Sequence, residues 1–265
     1  MVKNLIVAAV LLFSAVADAQ EFDHAVWDKL LRENVVVYRD GKVTRVDYRA
    51  LAKRRHQLHL YLDQLAAVEK ERFDTWDENE QLAFLINVYN SWTVELVLTR
   101  YPDLDSIKEL GSLLRSPWKK KIIALFGGTY SLDDIEHGFI RGTDRYREVR
   151  IHFAVNCGSI GCPALRGEAY TGARLETQLE DATRLFLQDR DRNRLEDDVL
   201  KLSSLFKWYR EDFAKGWQGY DSLAGFVANY RQDLGLSVQD ARDLASGRLA
   251  VFFLEYDWRL NDLGR

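Results

Sequence analysis

Both cysteines of the chain, Cys157 and Cys162, fall in one short window with His137, His152, Glu136 and Asn156. Cys157 precedes Gly158-Ser159-Ile160-Gly161. A thiol followed by glycines with free backbone N–H groups can act as a nucleophile beside an oxyanion site. Its structural readings are a small buried hydrophobe or half of a disulfide with Cys162, which closes a compact loop if the Cα atoms come within about 7 Å. A nucleophile needs a base, and His152 and His137 both qualify by type. Glu136 projects into the apolar arc of Leu132, Ile135, Phe139 and Ile140. A carboxylate there requires a partner, either a basic residue for structural reasons or a catalytic group that it orients. His137, His152, Cys157 and Cys162 are also donors that zinc accepts, but their spacing matches no paired signature. No metal or other cofactor is expected.

Three elements must bring these residues together. A helix predicted over 78–100 is apolar around most of its circumference and belongs in the middle of a fold. At about 100° per residue, its remaining stripe holds Glu80, Ala83, Asn87, Asn90, Ser91 and Val94. Short amides and a hydroxyl suit hydrogen bonding to neighbouring loops or to a ligand, which makes Asn87 and Asn90 candidate site residues. Ser131 is a good N-cap for a helix reaching residue 141, with Asp133 and Asp134 in its first turn. Residues 149–156 read as a strand broken by Gly158 and Gly161. Alternate side chains of a strand share a face, so His152 and Cys157 point opposite ways unless the chain bends. His137 therefore stays open as the competing base.

The other elements predicted are helices over 24–33, 48–65, 174–188, 204–214, 220–233 and 237–245. Hairpins are expected over 35–46, turning at Asp40-Gly41, and over 120–130, and a last strand over 249–256. Helices dominate, so the expected class is α+β: a mostly helical single domain over 20–265 around a small antiparallel sheet.

Residues 1–19 read as a cleavable export signal. Lys3 supplies the charge, residues 5–16 the apolar run, and Ala17-Asp18-Ala19 the small-residue cleavage pattern before Gln20. The expected location is periplasmic or secreted, with no stable membrane span after cleavage. Net charge is −4 with interspersed signs, which leaves no electrostatic footprint for nucleic acid. There is no P-loop, no G-x-G-x-x-G and no G-x-S-x-G elbow.

Several ordered motifs now resemble a known bacterial and plant family, the domain of unknown function 547. They are Asn87-Val88-Tyr89-Asn90, residues 131–137 with Arg141, residues 151–159, and Cys162-Pro163-Ala164-Leu165-Arg166. Phe206-Lys207-Trp208-Tyr209 with Asp212-Phe213, and residues 256–261, are similar to its later blocks. The resemblance runs from about residue 70 to the end. It implies that the Asn helix, the Glu-His helix and the Cys-Gly-Ser segment share one site or one core. In the family motif the position of Cys162 can be serine or aspartate, which implies against an obligatory disulfide or a four-ligand zinc site. The family often has Cys-Pro-Pro where this chain has Cys162-Pro163-Ala164, a departure confined to the turn.

Two functions follow as expectations. One is a cysteine-dependent hydrolase or acyltransferase of the papain-like or transglutaminase-like kind, acting on an amide, ester or thioester. Cys157 would attack, His152 or His137 would be the base, Glu136 would orient the ring, and Asn87, Asn90 or backbone N–H groups would hold the oxyanion. The other is a non-catalytic envelope binding or assembly module with a Cys157–Cys162 disulfide.

Overall fold

An N-terminal helix, α1 (Ala25–Asn34), leads into an antiparallel hairpin, β1 (Val35–Tyr38) and β2 (Val43–Val46). The computed structural model describes residues 21–112 and 115–264, so the export signal expected at 1–19 lies outside the described residues. The hairpin turns where the sequence predicts, with Asp40 at φ 55° and Gly41 at φ 93°, a left-handed conformation that these two residue types tolerate best. Two helices, α2 (Tyr48–Lys53) and α3 (Arg55–Ala66), stand where the pattern predicts one over 48–65. The chain resets at Arg54.

After α4 (Lys70–Asp74) comes α5 (Glu78–Leu98), whose 21 residues span about 31 Å. Asp77 caps it by accepting the N–H of Glu80 at 2.8 Å. Only Glu78, Asn79 and Trp92 escape full burial, as an all-round apolar sequence requires. Around it pack Trp27, Tyr61, Leu65, Phe73, Trp76 and Ile123 among others, forming the first and larger core. The short hairpin β3 (Ile123–Leu125) and β4 (Gly128–Tyr130) follows as expected.

Residues 149–156 correct the strand prediction. They form a short 3-10 helix at Val149–Phe153, where Glu148 accepts the N–H of Arg150 at 2.8 Å, followed by irregular chain. The apolar run that suggests a strand is instead wedged between two cores. Ile151, Ala154 and Val155 face the α5 core, while Val149 and Phe153 enter a second one. With no strand beside it, an extended backbone here would leave buried N–H and C=O groups unpaired, and the helical turn pairs them locally.

The second core is built by the rest of the chain. Helix α6 (Leu175–Gln188) sends Leu175 and Leu179 to the first core and Phe186 and Leu187 to the second. Strands β5 (Arg194–Glu196) and β6 (Val199–Leu202) form a hairpin that the sequence reading overlooked. Helix α7 covers only Leu205–Trp208 and is followed by a 3-10 turn at Asp212–Ala214, not one helix over 204–214. Then come α8 (Leu223–Asn229), α9 (Val238–Ala245) and β7 (Ala250–Phe253), which pairs parallel with β6. The class is α+β, but among the described residues the single antiparallel sheet resolves into three small ones, the last of them mixed.

Phe153 is the centre of the second core, with the rings of Phe186, Phe206, Phe213 and Phe226 between 5.2 and 6.3 Å away. Truncating such a residue removes apolar contact and leaves a cavity. Phe153→Ala is expected to cost about 3–5 kcal/mol in urea unfolding. A loss below about 1 kcal/mol would show that this segment does not hold the two cores together.

Candidate functional site

The segment after β4 opens with a reciprocal cap. Ser131 Oγ accepts the N–H of Asp134 at 3.1 Å, and Asp134 accepts both the N–H and the hydroxyl of Ser131 at 2.7 Å. From Asp134 to Ile140 the helix is a π-helix, and the N–H of Arg141 reaches back five residues to the carbonyl of Glu136 at 2.9 Å. Such widened turns recur at functional sites. This one directs Glu136 inward, where it is 5 % exposed. Its neighbours are the hydroxyls of Tyr89 and Tyr209, and its Oε1 lies 3.8 Å from His137 Nδ1. Burial first, and then the Glu136 carboxylate, push both phenols well above their usual range. Glu136 Oε1 is buried without a hydrogen-bond partner. His137 lies at the rim, its side chain 43 % exposed and its Nδ1 2.6 Å from the Arg141 guanidinium.

The helical turn at Val149–Phe153 buries His152 completely. Its Nε2 lies 2.8 Å from Asp212 Oδ2, and its ring stacks on Tyr209 at 3.9 Å. The same Asp212 oxygen accepts from Arg141 Nε at 2.5 Å, and Oδ1 accepts from Lys215 at 2.8 Å. Burial works to raise the Asp212 carboxyl, but hydrogen bonds from His152, Arg141 and Lys215 outweigh it and hold the group far below the usual carboxylate range. Burial lowers the pKa of His152 against the opposing pull of Asp212 and Glu136. A neutral imidazole beside a permanent carboxylate donates through Nε2, so Nδ1 carries the lone pair. That Nδ1 is buried and has no partner.

Cys157 and Cys162 are joined as a disulfide, with Cα atoms 6.2 Å apart. Gly158 follows at φ 79°, turning the chain back. The Cys157 N–H donates to Cys162 Sγ at 2.9 Å, and the Tyr256 hydroxyl lies 3.3 Å from Cys157 Sγ and 3.1 Å from Cys162 Sγ. Tyr256 approaches this closely because position 161 is glycine, where a Cβ would come within 2.9 Å of its ring. Both sulfurs are committed to the bridge, so the four-donor zinc set is not on offer in this state.

The predicted oxyanion donors are occupied. Asn87 Nδ2 donates to Tyr170 O at 2.7 Å and its Oδ1 accepts the Tyr170 N–H at 3.1 Å. Asn90 Nδ2 donates to Ala154 O at 3.0 Å, and its Oδ1 accepts the N–H of Asn156 at 2.8 Å. Both amides tie loops to α5 and neither lines the cleft. After Cys157, the N–H of Gly158 goes to Asn156 Oδ1, and those of Ile160 and Gly161 go to the carbonyls of Arg259 and Asp257. No oxyanion hole is preformed there.

Glu136, His137, His152, Cys157 and Cys162 share one cleft of about 170 Å³. Among the described residues, no hydrogen bond joins either sulfur to either histidine. The cleft walls come from residues that sequence reasoning did not assign to a site: Tyr89, Trp118, Trp208, Tyr209, Tyr256 and Trp258. Asp212, which orients His152 from behind, was missed too. An aromatic residue reads from sequence as core, and no spacing rule links residue 212 to residue 152. The only signal was the grouping of Trp208-Tyr209 with Asp212, and of Tyr256 with Trp258, in later blocks of the resemblance.

The buried histidines set a pH dependence. His24 is lowered to about 4 by burial, and His152 is lowered by the same cause. Each takes up its proton more readily unfolded than folded. Their stabilisation is therefore full above the unfolded value of about 6.5 and is lost as pH falls through it. Between pH 6.5 and 5, stability is expected to drop by up to about 1.4 kcal/mol per pH unit for each histidine. Glu80 and Asp133, both raised by burial, take up protons more readily folded and oppose this. His152→Gln should flatten the slope in urea titrations, and an unchanged slope would contradict a neutral buried His152.

No curated protein and no solved structure matches the chain, so the papain-like or transglutaminase-like architecture receives no support from that side. A family model described as "Protein of unknown function, DUF547" matches residues 73–187. The match runs from α4 to the end of α6 and contains Tyr89, Glu136, His152 and both cysteines, while Asp212 and the tryptophans at 208 and 258 lie beyond it. Through that segment, the chain is similar to the DUF547 family.

Proposed function

We propose that the chain is a non-catalytic binding protein of an oxidising, extracytoplasmic compartment, and that the aromatic cleft above the Cys157–Cys162 bridge receives a small ligand. The observation that carries this reading is a pair of buried acceptors with no hydrogen-bond partner, Glu136 Oε1 (3.8 Å from His137 Nδ1) and His152 Nδ1, on residues lining one cleft. Leaving such atoms unpaired costs about 1–3 kcal/mol each, a cost that a bound donor removes. The disulfide rigidifies the loop and suits an exported protein. Among the described residues, no helix is long and apolar enough to cross a membrane.

Trp208 is 48 % exposed at the cleft and offers a substitution that should not disturb the core. Small aromatic and aliphatic fragments observed by ligand-detected NMR are expected to compete for one site and to lose it in Trp208→Ala. Hits indifferent to Trp208 would overturn the reading.

A second reading is favoured by one feature, the Asp212–His152 pair with its free Nδ1. Once an external thiol reduces the bridge, Cys157 would pass its proton to that nitrogen and attack an amide, ester or thioester carbonyl, the amine, alcohol or thiol leaving with that proton. Water or another acceptor would then take the acyl group from sulfur, as in a hydrolase or acyltransferase. The bridged sulfurs and the occupied backbone donors weigh against it. Intact-mass analysis of protein recovered outside the cytoplasm separates the two. The binding reading expects a chain beginning at Gln20 that resists alkylation until reductant is added. A free Cys157 that alkylates rapidly at neutral pH without reductant would favour the hydrolase.

A further inference from the structure

We infer that the ligand of this cleft is a small organic cation bearing at least one N–H, its charge held against Glu136 and His152 and its apolar part against the aromatic walls. This rests on the binding reading and adds a ligand class to it.

The charge inventory points one way. Apart from tyrosines and the bridged cysteines, the ionisable residues lining the cleft are Asp133, Glu136, His137 and His152, with no lysine or arginine among them. The guanidinium of Arg141 is spent on Asp212 and His137. Lys121 is paired with Asp134. An anionic ligand would meet two carboxylates in the lining, with the Lys108 ammonium already seated on Trp258 and Lys119 acting on Asp133, which disfavours it.

The two unpartnered atoms agree with the charge. Glu136 Oε1 is a carboxylate oxygen, and His152 Nδ1 is the lone-pair nitrogen of a ring whose other nitrogen donates to Asp212. Both are acceptors, so what they lack is a donor. A carboxylate inside a low-dielectric site prefers a charged donor to a neutral one.

The walls complete the match. Trp208, Tyr256 and Trp258 pack ring on ring at 4.5 to 5.6 Å, and Tyr209 stacks on His152. Electron-rich ring faces attract organic cations and cover their apolar parts. The cluster already does so once, since the Lys108 ammonium sits over Trp258 at 3.8 Å from the ring centre. The cleft volume of about 170 Å³ suits a ligand of modest size.

Four probes of one shape test this on the intact, oxidised protein by isothermal titration calorimetry at neutral pH. They are phenethylamine, 2-phenylethanol, 3-phenylpropionate and phenethyltrimethylammonium. Phenethylamine is expected to bind at least about tenfold more tightly than the alcohol. The carboxylate should give no binding, and the quaternary ion, lacking an N–H, should bind more weakly than the amine. Glu136→Gln should bring the amine to within about twofold of the alcohol. Equal affinity for amine and alcohol overturns the cation assignment while leaving a binding cleft. A quaternary ion as tight as the amine overturns the N–H requirement. Failure of all four probes overturns the assignment and the cleft reading together. The comparison on unsubstituted protein decides the matter even if Glu136→Gln folds poorly.

Discussion

The arrangement of the site depends on one buried carboxylate. Asp212 is fully enclosed, and it is charged because His152, Arg141 and Lys215 all donate to it. A buried charge is tolerable only when paired and hydrogen-bonded. Asp212 meets that condition by joining the turn after α7 to two stretches at least 60 residues earlier: the helical turn at Val149–Phe153 and the end of the π-helix. Removing one donor would leave the charge less well compensated, so the three stretches are fixed together. The His152 ring and the Tyr209 ring stacked on it take their orientation from this junction.

A second set of buried polar groups plays a different part. Asn87, Asn90 and Asn156 use both ends of their amides on loop main chain or on one another's loops. Glu80 likewise accepts the N–H groups of Phe22 and Gly172, at 2.8 and 2.9 Å. Irregular chain can be buried only if its backbone groups find partners. Helix α5, enclosed on all sides, supplies those partners from its one polar stripe. The Cys157–Cys162 loop is held this way from below and by the disulfide from within, which leaves its sulfurs, Ser159 and Tyr256 in mutual contact.

The unpartnered acceptors stand out against this background. A fold that satisfies Asn87, Asn90 and Asn156, its buried arginine at 150 and its central aspartate nevertheless leaves Glu136 Oε1 and His152 Nδ1 without hydrogen-bond partners in a cleft. Other buried atoms, such as Asn34 Oδ1 and Trp27 Nε1, also lack partners, but those of Glu136 and His152 lie on residues that line this cleft, where a ligand has room.

Much of the fold was legible in the sequence because local physics decides it. The all-round apolar pattern of residues 78–98 could only be a central helix, Asp40-Gly41 could only turn, and Ser131 with Asp134 could only begin a helix. The polar stripe of α5 and the buried position of Glu136 were legible for the same reason. The sequence also grouped Glu136, His152 and the cysteines within one window. What it could not supply were facts that arise from long-range packing. An apolar run such as 149–156 suits a strand or a wedge between two cores equally well, and only the second core, assembled from residues after 186, decides between them. The pairing of His152 with Asp212 spans 60 residues, and the aromatic walls come from segments that carry no periodic sign of proximity. Sequence fixes what each segment can bury. Tertiary structure decides which buried groups find partners and which are left open to a ligand.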